Sequence, residues 1–366
     1  MKTEIKTAII MGAIIIGAIV ALSTYFSSFD QPTNAKPQLQ SSDLNIDKKG
    51  FKKAPELEGI AGYINTNSDE LKEKIKGKVV LYDIWTYSCI NCQRTLPYIV
   101  AWNEKYADKG LVIIGIHSPE FEFEKDIKNV ESAVQKFGIT YPVVLDNDMT
   151  IWRAFDNHYW PRKYLADDEG YIRYDHIGEG NYDETEKAIQ KLLEERSRKL
   201  GLDVAYSQPL VDIKEEHPES ATPEIYFGYN YATGRNQFGN PEGFGPEKDI
   251  KYAIPEKLHQ DNFYLDGIWK NLADRMVLSS NTGKIILPYT AKQVNIVASG
   301  KSNLTIFLDG KPLDKSMYGA DVNQDGKVIT SNSRLYNIVK DSQASSHVLE
   351  IDVNSPGFEI YTFTFG

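Results

Sequence analysis

The chain has 366 residues, a formal net charge of −10 and only two cysteines. That length is enough for two domains that each bury a core. The acidic balance, with no long run of Lys or Arg, excludes a nucleic-acid partner, which needs a basic face against phosphate.

The N-terminus differs from everything after it. Thr7 to Phe29 carries no charge and is densely apolar from Ala8 to Leu22, close to the ~20 residues a membrane-spanning helix needs. Lys2 and Lys6 precede it, so the positive-inside tendency leaves the N-terminus in the cytoplasm and the bulk of the chain outside. Residues 1–29 are expected to be an uncleaved membrane anchor, with a cleaved signal peptide as the alternative. Either exports the rest. Residues 30–56, rich in Gln, Ser, Asn, Pro and Lys, read as a flexible tether.

An α/β domain is expected over 57–200. Gly62 to Asn65 suggests a short strand, and Ser68 can cap a helix running to Lys76. Val79 to Trp85 is a continuous apolar run interrupted only by Asp83, the mark of a strand buried on both faces. Trp85-Thr86-Tyr87-Ser88-Cys89-Ile90-Asn91-Cys92 follows, then Leu96, Ile99, Val100, Trp102 and Tyr106 at helical spacing. Further strands are expected at Leu111–Ile116, Val143–Asp146, Lys163–Ala166 and Tyr171–Tyr174, with helices over Phe123–Phe137 and after Asp183. Alternating strands and helices imply a layered α/β sheet. A linker is expected over 201–222. From 223 to 366 short alternating runs are divided by turns such as Asp309-Gly310, which argues for eight or nine strands in an independently folding antiparallel β-sandwich, jelly-roll-like in class.

The chemistry points to the cysteines. A Cys-x-x-Cys at a strand-to-helix junction sets its first sulfur at a helix N-terminus, where unpaired N–H groups and the macrodipole favour the thiolate, the attacking species in disulfide exchange. Three other readings compete. Structural zinc would lack two further ligands, since no second cysteine pair exists. Covalent haem needs His where Gln93 stands. A structural disulfide closing so small a loop constrains little chain entropy.

The stretch WTYSCINCQRTLPY resembles the thioredoxin superfamily, in its membrane-tethered TlpA-like branch and, within that, the extracytoplasmic part of DipZ-type proteins. The ending Tyr361-Thr362-Phe363-Thr364-Phe365, with Arg334-Leu335-Tyr336 before it, resembles their C-terminal region, so the likeness covers most of the chain beyond the tether. The resemblance implies Cys89 as nucleophile, Cys92 as resolving thiol and a Cys89–Cys92 redox disulfide. It implies Asp83, six residues before Cys89, as a buried acid that shuttles the Cys92 proton, and Pro97 as the kink of the active-site helix. Trp160-Pro161 falls where the family has a cis-proline loop that pairs with substrate, and Trp85, Tyr87 and Trp160 are expected as an apolar substrate rim. Ile90-Asn91 replaces the family's Gly-Pro.

Other candidates weigh less. His117 and Glu120 receive no role. Asp321-x-Asn323-x-Asp325-Gly326 resembles the start of a calcium loop, but Asn332 stands where Glu should, and a hairpin turn is the expectation. Asn303-Leu304-Thr305 is a glycosylation sequon overlapping an expected strand. No metal or other cofactor is expected. The leading function is a membrane-anchored, extracytoplasmic thiol–disulfide oxidoreductase that reduces protein disulfides and is recharged by a membrane thiol electron donor. Its potential is expected nearer about −270 mV than about −120 mV, because neither Ile90 nor Asn91 offers a charge that favours a thiolate. The alternatives are an oxidase or isomerase, or a glycan- or protein-binding module using Trp269, Tyr226, Phe227 and Tyr229 as a stacking platform.

Overall fold

A computed structural model describes residues 48–366 apart from 203, 205, 207, 210 and 216. The expected anchor, and the tether up to residue 47, lie outside the described residues. Among the described residues no helix is long and apolar enough to cross a membrane.

The first half is built on a six-stranded sheet of β1 (Gly62–Ile64), β2 (Val79–Trp85), β3 (Leu111–His117), β4 (Val143–Leu145), β5 (Arg162–Ala166) and β6 (Ile172–Ile177), in the order β1-β4-β3-β2-β5-β6. β2, β3 and β4 run parallel, whereas β1, β5 and β6 join antiparallel. Five helices cover it: α1 (Ser68–Ile75), α2 (Ile90–Tyr106), α3 (Ile127–Lys136), α4 (Thr150–Ala154) and α5 (Tyr182–Lys199). Every residue of β2 is buried, which is why its sequence is almost wholly apolar. Its two-residue period divides it between two cores. Val79, Leu81 and Trp85 pack with α2, α3 and α5, whereas Val80, Tyr82 and Ile84 pack with Leu71 of α1 and Ile151 of α4. Asp83 shares the parity of the first set and so faces α2. The helix α1 is capped by Asn67 rather than Ser68: Oδ1 of Asn67 accepts from the Asp69 and Glu70 amides at 3.1 and 3.0 Å. The edge of this half starts earlier than its apolar pattern, since the Ala54 amide donates to the Gly170 carbonyl at 2.8 Å.

The second half is all β. Its strands are β7 (Ile225–Tyr226), β8 (Asp249–Tyr252), β9 (Tyr264–Asn271), β10 (Met276–Leu278), β11 (Gly283–Ser299), β12 (Ser302–Leu308), β13 (Lys311–Pro312), β14 (Lys327–Thr330), β15 (Arg334–Val353) and β16 (Glu359–Phe365), with one short helix, α6 (Tyr229–Ala232). They form one continuous antiparallel sheet of ten strands rather than many short strands in two separate sheets. Two very long strands make the difference: β11 and β15 pair from Gly283↔Val353 to Ala298↔Arg334, with register shifts beside Ala291 and Val294 that let the ladder bend. Pro288 sits in β11 between the stretch paired with β9 and the stretch paired with β16, where a missing donor is tolerated. Inward residues of β9 to β12, β15 and β16 belong to a single core, so the sheet curls around it. That curl overturns the expected stacking platform. Trp269 and Phe227 are fully buried in or against the core and Tyr226 is 7% exposed.

The two halves share a fourth hydrophobic cluster. Phe121 and Phe123, from the loop after β3, meet Tyr361 of β16 at ring distances of 5.1 and 4.7 Å, and Phe121 meets Tyr231 of α6 at 6.1 Å. Hydrogen bonds run with them: Tyr231 Oη donates to the Glu120 carbonyl at 2.7 Å and Tyr87 Oη to the Ser333 carbonyl at 3.0 Å. Lys48 to Gly366 accordingly forms one compact unit. Phe121→Ala is expected to cost about 3 kcal/mol or more, by emptying a buried aromatic site. It should also split a single thermal transition into two, as calorimetry would show.

Candidate active site

Cys89 is the N-cap of α2, with extended backbone (φ −76°, ψ 121°), and its Sγ accepts from the Cys92 amide at 3.4 Å. Ending β2 at Trp85 and turning over Thr86 to Ser88 sets that sulfur at the helix start. Cys89 is partly exposed, whereas Cys92, one turn in, is 1% exposed, and the two thiols are unbridged. Pro97 lies inside α2 as anticipated.

The turn before Cys89 is held by a residue that sequence reasoning did not single out. Glu124 is fully buried, and its Oε1 accepts from Ser88 Oγ at 2.5 Å while its Oε2 accepts from the Glu120 and Phe121 amides at 2.6 and 3.0 Å. One carboxylate thus ties the active-site turn to the loop that joins the two halves. His117 is also buried, and its Nε2 accepts from the Tyr87 amide at 3.3 Å. Burial pushes its pKa down to about 3, so it is a neutral acceptor that positions the turn.

Beneath α2 lie two charged residues. Asp83 on β2 is the register partner of Lys163 on β5, and cross-strand partners project to the same face. They are 1% and 0% exposed. Burial raises Asp83 to about 6, with the Lys163 charge pulling the other way. Burial lowers Lys163 to about 8, against the fields of Asp83 and Cys92, and its Nζ donates to the Gly178 carbonyl at 2.9 Å. Burial likewise pushes the Cys92 thiol well up, with contact to Cys89 and the Asp83 charge adding to it. Asp83 Oδ1 has no hydrogen-bond partner, so its proton affinity is open to its charged neighbours. Lys163 was legible only as a strand residue; a lysine amid Tyr164-Leu165-Ala166 on a central strand was the available signal.

The Trp160–Pro161 bond is cis. Trp160 is partly buried, its indole N–H donating to the Ser118 carbonyl at 3.0 Å and its ring packed 4.2 Å from that of Trp152. Of the expected substrate rim, Trp85 and Tyr87 are elsewhere. Trp85 is fully buried, because Gly115 beside it on β3 leaves its indole room: a Cβ there would lie 2.9 Å from Nε1. Tyr87 is 4% exposed and turned toward the all-β half. The acidic turn at 321–326 is organised internally. Asp321 accepts from Arg334 Nη2 at 2.7 Å, and Asn323 Oδ1 accepts from the Asp325 and Lys327 amides at 3.0 Å each. Asn303 lies exposed on β12.

A half-exposed sulfur capping a helix, a shielded second sulfur one turn in and a buried acid below it form a dithiol exchange centre. Residues 52–193 match the Redoxin family model, and residues 222–366 match the model described as a thioredoxin-like C-terminal domain. Protein DipZ of Mycobacterium tuberculosis is 36% identical over 321 residues, covering 86% of this chain and 43% of that protein. The chain belongs to the thioredoxin superfamily. Within it the chain is TlpA/DipZ-like. It spans less than half the length of the DipZ proteins it matches. Thiol-disulfide oxidoreductase YkuV of Bacillus subtilis is 29% identical over 142 residues, 38% of this chain and 94% of that protein. Protein SUPPRESSOR OF QUENCHING 1 of Arabidopsis thaliana is 33% identical over 175 residues, 47% of this chain and 16% of that protein.

The unequal exposure of the two sulfurs has a direct readout. Iodoacetamide at pH 7 should modify Cys89 faster than Cys92 by roughly tenfold or more, since the buried thiol is both shielded and disfavoured as thiolate. Peptide mapping after timed quenching checks the order; equal labelling refutes the assignment.

Proposed function

We propose that this protein is an extracytoplasmic, membrane-anchored reductase of protein disulfides working through Cys89 and Cys92. The observation that carries the reading is the pair itself: an accessible sulfur at the helix start over a buried one that faces Asp83 and Lys163. The Cys89 thiolate attacks one sulfur of a substrate disulfide, forming a mixed disulfide and expelling the other as a thiolate that takes up a proton. Cys92 then gives its proton to Asp83 and attacks Cys89 Sγ, which closes the intramolecular disulfide and expels the second substrate thiolate. The substrate gains two electrons and two protons and the enzyme is oxidised by the same two electrons. A membrane dithiol donor then returns it to the reduced form. The uncharged run from Thr7 to Phe29 supports the anchor and the outside location.

Charge supports the reducing direction. The Asp83 carboxylate opposes a second negative charge at Cys92, and Ile90-Asn91 supplies none of the positive field that makes a strong oxidant. Equilibration with glutathione should give a potential nearer about −270 mV than about −120 mV, and a value more oxidising than about −180 mV makes the protein an oxidase or isomerase instead. Cys92→Ser should accumulate the mixed disulfide on Cys89, visible by mass.

The acid–base assignment predicts a pH profile. Asp83 accepts the proton only as carboxylate, so the resolving rate should rise as pH passes through about 6. Asp83→Asn should slow resolution by roughly a hundredfold and remove that inflection. Rapid-quench measurement of mixed-disulfide decay from pH 5 to 8 tests both.

A further inference from the structure

Cys89 does not open onto a free surface. It lies in a cleft of about 500 Å³ between the two halves, with Trp160 and Tyr159 on one side and Tyr226, Arg235 and Thr364 on the other, within the ~300–1,000 Å³ typical of ligand sites. Two features of the cleft, one on each wall, have no role inside the protein. Thr364 on β16 is 5% exposed, and its Oγ1 has no hydrogen-bond partner among the described residues. A buried hydroxyl left so is costly, and it borders the cleft. Tyr159 is a 51% exposed aromatic beside the active sulfur.

The charge of the wall narrows what can enter. Tyr226 Oη lies 2.7 Å from Glu120 Oε1 and 3.2 Å from Glu224 Oε2. The single phenol hydrogen is shared between the two carboxyl groups. Burial raises Glu120 to about 8 and Glu224 in the same direction, which disfavours two full negative charges there. The Arg235 guanidinium lies 4.6 Å from the Tyr226 ring and offsets the remaining charge. The wall therefore offers hydrogen bonds with its acidic charge damped by burial and by Arg235.

We propose that the all-β half forms the far wall of the substrate site and that the cleft takes an extended, uncharged polypeptide segment bearing the cystine, with the Thr364 hydroxyl bonding its backbone and Tyr159 packing on a flanking side chain. This rests on the reductase reading and names its substrate class. Two walls exclude the broad surface around a disulfide in a rigidly folded protein.

The full chain is assayed on three substrates: an unstructured neutral peptide with one intrachain disulfide, a folded protein with a surface disulfide, and hydroxyethyl disulfide. The wild type should reduce the peptide with higher kcat/KM than the folded protein. Thr364→Val, which keeps the side-chain shape, and Tyr159→Ala, at an exposed position that does not bear on folding, should each lower the ratio of peptide to hydroxyethyl disulfide kcat/KM about fivefold, through KM. A wild-type preference for the folded protein, or an unchanged ratio in both variants, overturns the proposal while leaving the reductase intact. A wild type that reduces none of the three overturns the reductase reading and this proposal with it.

Discussion

Asp83 and Lys163 face each other across β2 and β5 in a layer that excludes water, directly under the helix that carries Cys92. Neither charge is tolerable alone at that depth, and each moderates the cost of the other. Burial moves both toward neutrality, the acid to about 6 and the lysine to about 8, so both can change protonation near physiological pH. The rest of the redox half keeps this arrangement dry. Two cores sandwich β2, α2 closes over one face, and the cis Trp160–Pro161 turn carries the chain back into β5, which brings Lys163 into register.

The second constraint is the junction between the halves. Glu124 accepts from the turn before Cys89 and from the loop that presents Phe121 and Phe123 to Tyr361. The reactive turn and the domain junction are therefore anchored on the same carboxylate. Small displacements at one are felt at the other because a buried carboxylate cannot exchange its partners for water. The glutamate–tyrosine contact at Glu120 and Tyr226 adds a second polar link on the cleft side.

Much of this could be read from residues. The continuous apolar runs of β2 and β3, the position of the two cysteines and the short β6 hairpin were legible because burial on both faces and helix starts leave local signatures. The roles of Lys163 and Glu124 were not, since each depends on which strand or loop lies opposite, a long-range fact. The all-β half was legible in its alternation and turns, but not in its long strands. Bulges beside Ala291 and Val294 let single strands bend where the pattern suggested separate ones. Trp269, Phe227 and Trp85 misled for a related reason: a large aromatic looks alike in sequence whether it lines a site or fills a core.

The last strand of the chain has an outsized share of the contacts. β16 pairs with β7, β10 and β11, supplies Tyr361 to the junction and carries Thr364 beside the active sulfur. Those partners begin near Ile225, so the pairing spans almost the whole second half and waits for the chain's final residues. During synthesis the redox half can assemble first, as N-terminal domains generally do. Until residues 359–365 emerge, its reactive cysteine stands in the open, on an unwalled face. Order of emergence thus separates a form with an open cysteine from one in which β16 walls it.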